Sequence, residues 1–428
     1  LTFELLNDAR TIGVFQLESD GMRRLCRQMT ITNVDEISAL IALYRPGPME
    51  WIPDYLKGKA DPSVIKFPHP LLEDVCRETY GVMVYQEQVM EAARIIAGYT
   101  LGGADILRRA MGKKKHKEMA QQRKFFVAGA KEKNNIPEKQ ADKIFDVLEK
   151  FAGYGFNKSH SAAYGIISYQ TAYLKANYPV EFMSGLLSSE LGNADKVSRF
   201  IAECSHMLIQ VLGPDVNESF EDFTPIPSEE SQGSIRFGLA AIKGVGDAAA
   251  GFVVSERENA GPYLSFNDLA ERLDQKAVNK RVLECLVKSG AFDSLGESRK
   301  ALLEDMDRAL GEVALLQKDR DAGQENFFEA MGGLDAEASS SPSSEDQGKP
   351  VSEDSGIDPL EKLRYEKELL GFYLSGHPVD AFHGLGEAAS NLSPEELETL
   401  DERRSFRLCG VVSSLTKRFT KKENKPWA

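Results

Sequence analysis

Apolar residues recur at helical spacing over most of the first half of the chain. Such runs lie around 20–45, 86–97, 104–133, 137–151, 161–177 and 179–190, punctuated by Gly and Pro turns such as Tyr44-Arg45-Pro46-Gly47-Pro48-Met49. Pro179 is expected to open a helix, since its fixed φ suits a first turn that needs no N–H at that position. Between 206 and 240 the pattern shortens to strand-like stretches, Met207 to Leu212 and Ser234 to Leu239, separated by Pro-rich loops. From Leu239 the sequence runs Leu-Ala-Ala-Ile-Lys-Gly-Val-Gly-Asp-Ala-Ala-Ala, which predicts two helices joined by a tight Gly-apolar-Gly hairpin at Gly244, Val245 and Gly246. Residues 282–303, with Lys288-Ser289-Gly290 and Leu295-Gly296, read as a degenerate second copy, and Leu408 to Leu415 read as a strand. The expected class is mainly α and multidomain: a helical domain over 1–205, a tandem helix-hairpin-helix domain over 206–320, a linker over 321–358, a helical connector over 359–404 and a truncated β domain from 405 to 428.

Two segments break the apolar rhythm in a way that points to an anion. Residues 153–164, Gly-Tyr-Gly-Phe-Asn-Lys-Ser-His-Ser-Ala-Ala-Tyr, lead with hydrogen-bonding groups before the helical period resumes. A helix N-terminus facing a phosphate has this composition, because its free N–H groups and positive dipole end favour negative charge. A helix start capped by its own side chains has it too. Residues 98–117 carry Arg108, Arg109, Lys113, Lys114, Lys115 and Lys117, in a chain whose net charge is -14. A solvated helix face accounts for many such runs, yet here the cations are concentrated against an acidic background. Arg supplies a planar fork for phosphate oxygens and Lys a mobile point charge. Taken together, the two segments predict a site for a triphosphate or a nucleic-acid backbone. At the hairpin, Lys243, Gly244, Val245 and Gly246 would offer backbone N–H groups to a DNA phosphate, an ordinary tight αα-turn being the alternative.

Composition narrows the class. At 428 residues several domains are expected, and 42% hydrophobic with 28% charged residues is typical of globular chains without a membrane span. Cys26, Cys76, Cys204, Cys285 and Cys409 are widely spaced with no CxxC pair, which argues against a disulfide framework and for a reducing, cytoplasmic setting. No metal site is expected. The chain begins at Leu1 and ends soon after a strand that lacks a following partner, so both ends read as cut. Between 335 and 358 seven acidic residues face a single Lys349 in a Ser-rich run, the composition of a disordered acidic linker. Just ahead of it, Gln324, Phe327 and Phe328 pair exposed aromatics with a polar context, as anchors for a partner's apolar pocket do.

The chain resembles the alpha subunits of bacterial DNA polymerase III, the C-family replicative polymerases. The resemblance rests on Gly13-Val14-Phe15-Gln16-Leu17-Glu18-Ser19, Tyr44 to Pro48, Tyr80 to Gln88, Gly98 to Lys115, Phe151 to Tyr164, the 244–246 hairpin, and Leu370-Gly371-Phe372-Tyr373-Leu374-Ser375-Gly376-His377-Pro378. It implies that 1–205 is a fingers domain, in which Arg108 and Arg109 meet the incoming triphosphate, with Lys113, Lys114 and Lys115 nearby. Asn157, Lys158, His160, Ser161 and Tyr164 would line the nucleotide pocket. Gln324, Phe327 and Phe328 would form a peptide that binds the sliding clamp, and 405–428 would begin an OB fold. Implied partners are primer-template DNA, deoxynucleoside triphosphates, the clamp and other holoenzyme subunits, with no membrane.

The family's metal-binding palm aspartates, which hold Mg²⁺, would lie outside this chain, so no catalytic residue is expected here and the segment alone would be inactive. The one Asp-x-Asp, Asp305-Met306-Asp307, reads as a solvated helix face. Two other readings stay open: an error-prone paralogue of the same family, and a non-enzymatic helix-hairpin-helix scaffold.

Overall fold

The computed structural model describes residues 1–112, 116–152, 154–228, 232–273, 277–321 and 357–382, with short stretches at 389–390, 405–407, 418–419 and 426–427. The fold is mainly helical. It divides into two compact units, Leu1–Phe182 and Met183–Ala428. Helix Ala194–His206 packs against the first strand of the second unit, Gln210–Leu212.

In the first unit the helices are α1 (Thr2–Asn7), α2 (Asp20–Met29), α3 (Val34–Leu43), α4 (Ile52–Ala60), α5 (Glu73–Cys76), α6 (Gln86–Ala97), α7 (Leu101–Gly112), α8 (His116–Asn134), α9 (Glu138–Ala152) and α10 (Lys158–Asn177), with α11 (Pro179–Ser189) following. The run expected at 20–45 is two helices. Thr30 turns left-handed at φ 51° to end α2, and Asn33 caps α3 by accepting from the Glu36 N–H. The run at 104–133 is likewise divided, between α7 and α8. Gln88 fixes the start of α6 by accepting from the backbone N–H of Val84 (2.8 Å) and Tyr85 (2.9 Å), and Gly98 ends it at φ 69°.

Two apolar clusters build this unit. One joins α1, α2 and α3 through Leu6, Leu17, Leu25, Ile37 and Leu40; the other joins α6 to α9 through Ile96, Leu107, Phe126 and Phe145. Helix α10 lies on α3. The approach is close enough that a Cβ on Gly165 would sit 2.3 Å from Ser38 Oγ, which explains a glycine inside a long helix.

The second unit holds a three-stranded sheet of β1 (Gln210–Leu212), β2 (Thr224–Ile226) and β3 (Ser234–Arg236), in the order β1-β3-β2. Strands β1 and β3 run parallel with Val211 opposite Ile235, and β2 runs antiparallel with Pro225 opposite Ile235. Strand β2 was not foreseen, because Pro225 cannot donate to a ladder and an edge position tolerates that. The helices that follow the first unit are α12 (Ala194–His206), which packs on β1, α13 (Gly246–Ala260), α14 (Phe266–Arg272), α15 (Lys280–Ser289), α16 (Arg299–Asp321) and α17 (Pro359–Leu369). Near the C-terminus β4 (Arg418–Phe419) pairs antiparallel with β5 (Pro426–Trp427). The strand at 408–415 and most of the acidic linker lie outside the described residues.

Candidate functional site

Two sequence-distant segments meet through one side chain. Gln86, the first residue of α6, accepts from Arg108 Nη1 at 3.1 Å and donates through Nε2 to the Gly155 carbonyl at 2.9 Å. The main chain follows the same route. Tyr85 and Phe156 form a parallel bridge, with Gln86 N–H donating to the Phe156 carbonyl (2.9 Å) and Phe156 N–H to that of Val84 (3.1 Å). The α7 arginines and the segment leading into α10 are therefore held on one frame.

Asn157 caps α10, its Oδ1 accepting from the His160 N–H at 2.8 Å. Glu87 sits across the same helix end. Its carboxylate accepts from the Lys158 N–H (2.9 Å) and from Asn157 Nδ2 (3.0 Å). This helix start is thus capped by the Asn157 side chain and bonded by the Glu87 carboxylate. The Lys158 ammonium reaches both oxygens of Glu78, at 2.7 and 2.8 Å. Ser161 is fully buried and bonded to the Lys158 carbonyl at 3.2 Å.

The aromatic members form a row along α10. The His160 ring lies 5.4 Å from Phe156 and 4.3 Å from Tyr164, and Tyr164 lies 5.2 Å from Phe15. Arg45 closes the other end, with its guanidinium 4.3 Å above the Phe156 ring and Nη2 donating to the Tyr154 carbonyl at 3.0 Å. Burial pulls the Arg45 pKa below the usual arginine value. Arg108 and Arg109 both grip Asp105, at 2.7 and 2.8 Å, and the Arg108 hydrogen bond holds that carboxyl below the usual aspartate range. Each of these cations thus has a carboxylate or carbonyl partner within the chain. Arg45, Gln86, Glu87 and Asp105 were not singled out from sequence. Arg45 read as part of a turn and Gln86 and Glu87 as the first residues of the 86–97 run, and only the fold aims them at α10.

In the second unit the hairpin stands as a glycine-flanked turn. Gly244 and Gly246 have φ of 96° and 72°, and Val245 is buried while Lys243 and Gly244 are exposed. What precedes it is a single 3-10 turn, Leu239–Ala241, not the helix expected, because strand β3 and its exit take up the chain to 238. The Lys243 N–H donates to the Leu369 carbonyl at 2.9 Å, and a cavity of about 700 Å³ lined by Lys243, Gly244, Gly246, Lys367 and Gly371 opens beside the hairpin.

The second copy differs. Arg299 is buried and fills its turn, bonding Asp293 through Nε at 2.7 Å and the Lys288 carbonyl at 3.0 Å. A Cβ on Gly290 would strike that guanidinium at 2.2 Å.

Asp305 and Asp307 do not fit a divalent ion. The first is taken by Arg308 (Nε to Oδ1 2.7 Å) and the second by Lys280 (2.6 Å), and residues two apart on a helix point away from each other. Among the described residues no group of three or more His, Cys, Asp or Glu is placed to hold a metal, and no helix is long and apolar enough to cross a membrane. Lys113, Lys114, Lys115, Gln324, Phe327 and Phe328 lie outside the described residues.

Residues 1–134 match the bacterial DNA polymerase III alpha subunit finger domain family, and 208–302 match the helix-hairpin-helix motif family. Over 428 residues the chain is 46% identical to the DNA polymerase III subunit alpha of Thermus aquaticus, covering 98% of this chain and 33% of that protein. It is 44% identical over 418 residues to that of Neisseria meningitidis, covering 96% and 34%. With the Borreliella burgdorferi subunit it shares 42% identity over 429 residues, covering 99% and 36%. The chain belongs to the bacterial DNA polymerase III alpha-subunit family, and it spans about one third of the length of these relatives.

Proposed function

We propose that this chain is the nucleotide-positioning and DNA-holding portion of a bacterial DNA polymerase III alpha subunit, acting in template-directed DNA synthesis during replication. The observation that carries the reading is the Gln86 bridge, which puts Arg108 and the start of α10 on one frame with Arg45 and the aromatic row. In the reaction a primer 3′-hydroxyl attacks the α-phosphate of a deoxynucleoside triphosphate and pyrophosphate leaves. This chain's part is to place the triphosphate and neutralise its charge, which is most of what phosphoryl-type transfer asks of a protein. Arg108 and Arg109 turn from Asp105 to the phosphates, Lys158 adds a point charge, and His160 and Tyr164 flank the sugar and base. Mg²⁺ would be held by aspartates elsewhere in the polymerase, so 1–428 alone would bind DNA without extending it.

The exposed hairpin Lys243 to Gly246 would hold duplex DNA by its phosphates. Gln324, Phe327 and Phe328 would tether the enzyme to its sliding clamp, and other holoenzyme subunits would join through regions outside this chain. The setting would be the cytoplasm.

Steady-state extension by the full-length polypeptide carrying Arg108→Ala tests the nucleotide assignment. A rise in KM for nucleotides, or a fall in kcat, of about tenfold or more is expected from losing one charge-assisted contact. An unchanged nucleotide dependence in a folded variant would sink it.

A further inference from the structure

One exposed side chain near the aromatic row is held with more care than a surface loop needs. Gln16 has φ 62°, a left-handed backbone that glycine adopts freely and L residues other than asparagine and aspartate rarely do. Its side chain is exposed and makes no hydrogen bond among the described residues. The loop that presents it is pinned to α10 at several points. Lys175, itself buried, donates to the carbonyls of Arg10 and Ile12 at 2.8 Å each. Thr171 Oγ1 accepts from the Phe15 N–H (3.1 Å), and the buried Ser168 hydroxyl donates to the Phe15 carbonyl (2.9 Å). Thr11 closes the loop on the Leu17 carbonyl at 2.7 Å. A single helix thus fixes both the aromatic row and the backbone that carries Gln16, whose neighbour Phe15 ends the row at Tyr164.

We propose that Gln16 donates a hydrogen bond to the minor-groove edge of the newly formed base pair, and so reports whether that pair has correct geometry. The inference rests on the nucleotide site proposed above. The chemistry selects the edge. A neutral amide is a poor choice for phosphate, where Arg and Lys dominate. The minor groove offers an acceptor, purine N3 or pyrimidine O2, from each of the four correct pairs, whereas the major groove differs for each. One donor in a fixed place can therefore accept every correct pair and miss a displaced one. The strained backbone makes sense if side-chain direction, not turn formation, is what the loop provides.

The test uses the full-length polypeptide with Gln16→Gly, Gln16→Ala and, as the control for the underlying site, Arg108→Ala. Glycine relieves the backbone and removes the amide, so the fold is kept while the donor is lost. Both Gln16 variants should extend a mismatched primer end with roughly three- to tenfold less discrimination, the worth of one neutral hydrogen bond, with KM for the correct nucleotide little changed. Primers ending in 3-deazapurines, which lack the N3 acceptor, should slow the parent enzyme and leave the Gln16 variants unaffected. If Gln16→Gly discriminates like the parent and both respond equally to 3-deazapurines, the proposal is overturned. If Arg108→Ala leaves nucleotide KM and kcat unchanged, the nucleotide site itself fails, independently of the Gln16 result.

Discussion

At the scale of single residues, the most consequential buried charge outside the site is Glu36. It is 3% exposed and accepts from Lys59, from the Thr32 N–H at 2.7 Å and from the Tyr80 hydroxyl at 2.7 Å. Burial alone would raise its pKa, but the bonds from Lys59, Thr32 and Tyr80 outweigh burial and hold it below the usual value of 4.5. A carboxylate depressed in the folded state binds its proton more readily when unfolded. Its contribution is therefore complete above about pH 4.5 and fades as pH falls through the lower folded value. Glu36→Gln is expected to destabilise the chain by about 2 kcal/mol or more at pH 7, since it leaves Lys59 facing a neutral group. In urea unfolding the gap between parent and variant should narrow below about pH 4.5. A gap that stays constant down to pH 3 would contradict the account.

Among the elements, close helix approach decides more than propensity. Gly129 in the middle of α8 faces the end of α6, and an added Cβ would lie 2.2 Å from the Ala97 carbonyl. Propensity alone makes Gly129→Ala favourable by close to 1 kcal/mol. The contact reverses the sign, and the substitution should cost about 1–3 kcal/mol as overpacking forces the helices apart; thermal denaturation reads the direction directly. Helix α9 is held to α8 by charge as well. Arg123 reaches Asp142, Asp146 and Glu149 at 2.9, 2.7 and 2.7 Å, positions that share one face of α9. The periodicity of both helices was legible, but which residues would touch was not.

For the whole molecule, a net charge of -14 coexists with a proposed DNA-binding role. Phosphate contacts depend on local cations, so affinity for duplex DNA should fall as salt rises despite the acidic total. Lys243→Ala is expected to weaken binding about equally across sequences and to flatten the salt dependence by roughly one counterion. Fluorescence anisotropy over a salt series measures both. Binding that is indifferent to salt would remove the hairpin from the DNA interface.

Sequence by itself determined the helical class, the Gly-apolar-Gly turn, the positions of most helices in the first unit and the family resemblance. These follow from short-range rules: a 3.6-residue apolar period, hydrogen-bonding groups at a helix start such as Asn157, and glycine where φ must be positive. It also singled out Arg108, Lys158 and His160 as chemistry-bearing. Only the tertiary structure decided that Gln86 joins Arg108 to Gly155, that Glu87 sits on the start of α10, that Arg45 covers Phe156, and that Arg299 fills the second hairpin. Each of these, apart from Arg299, pairs residues many positions apart, and each is made by a polar side chain whose partner is set by packing between helices. Local pattern carries no record of that packing, because the same glutamine or arginine would be equally at home on a solvated face.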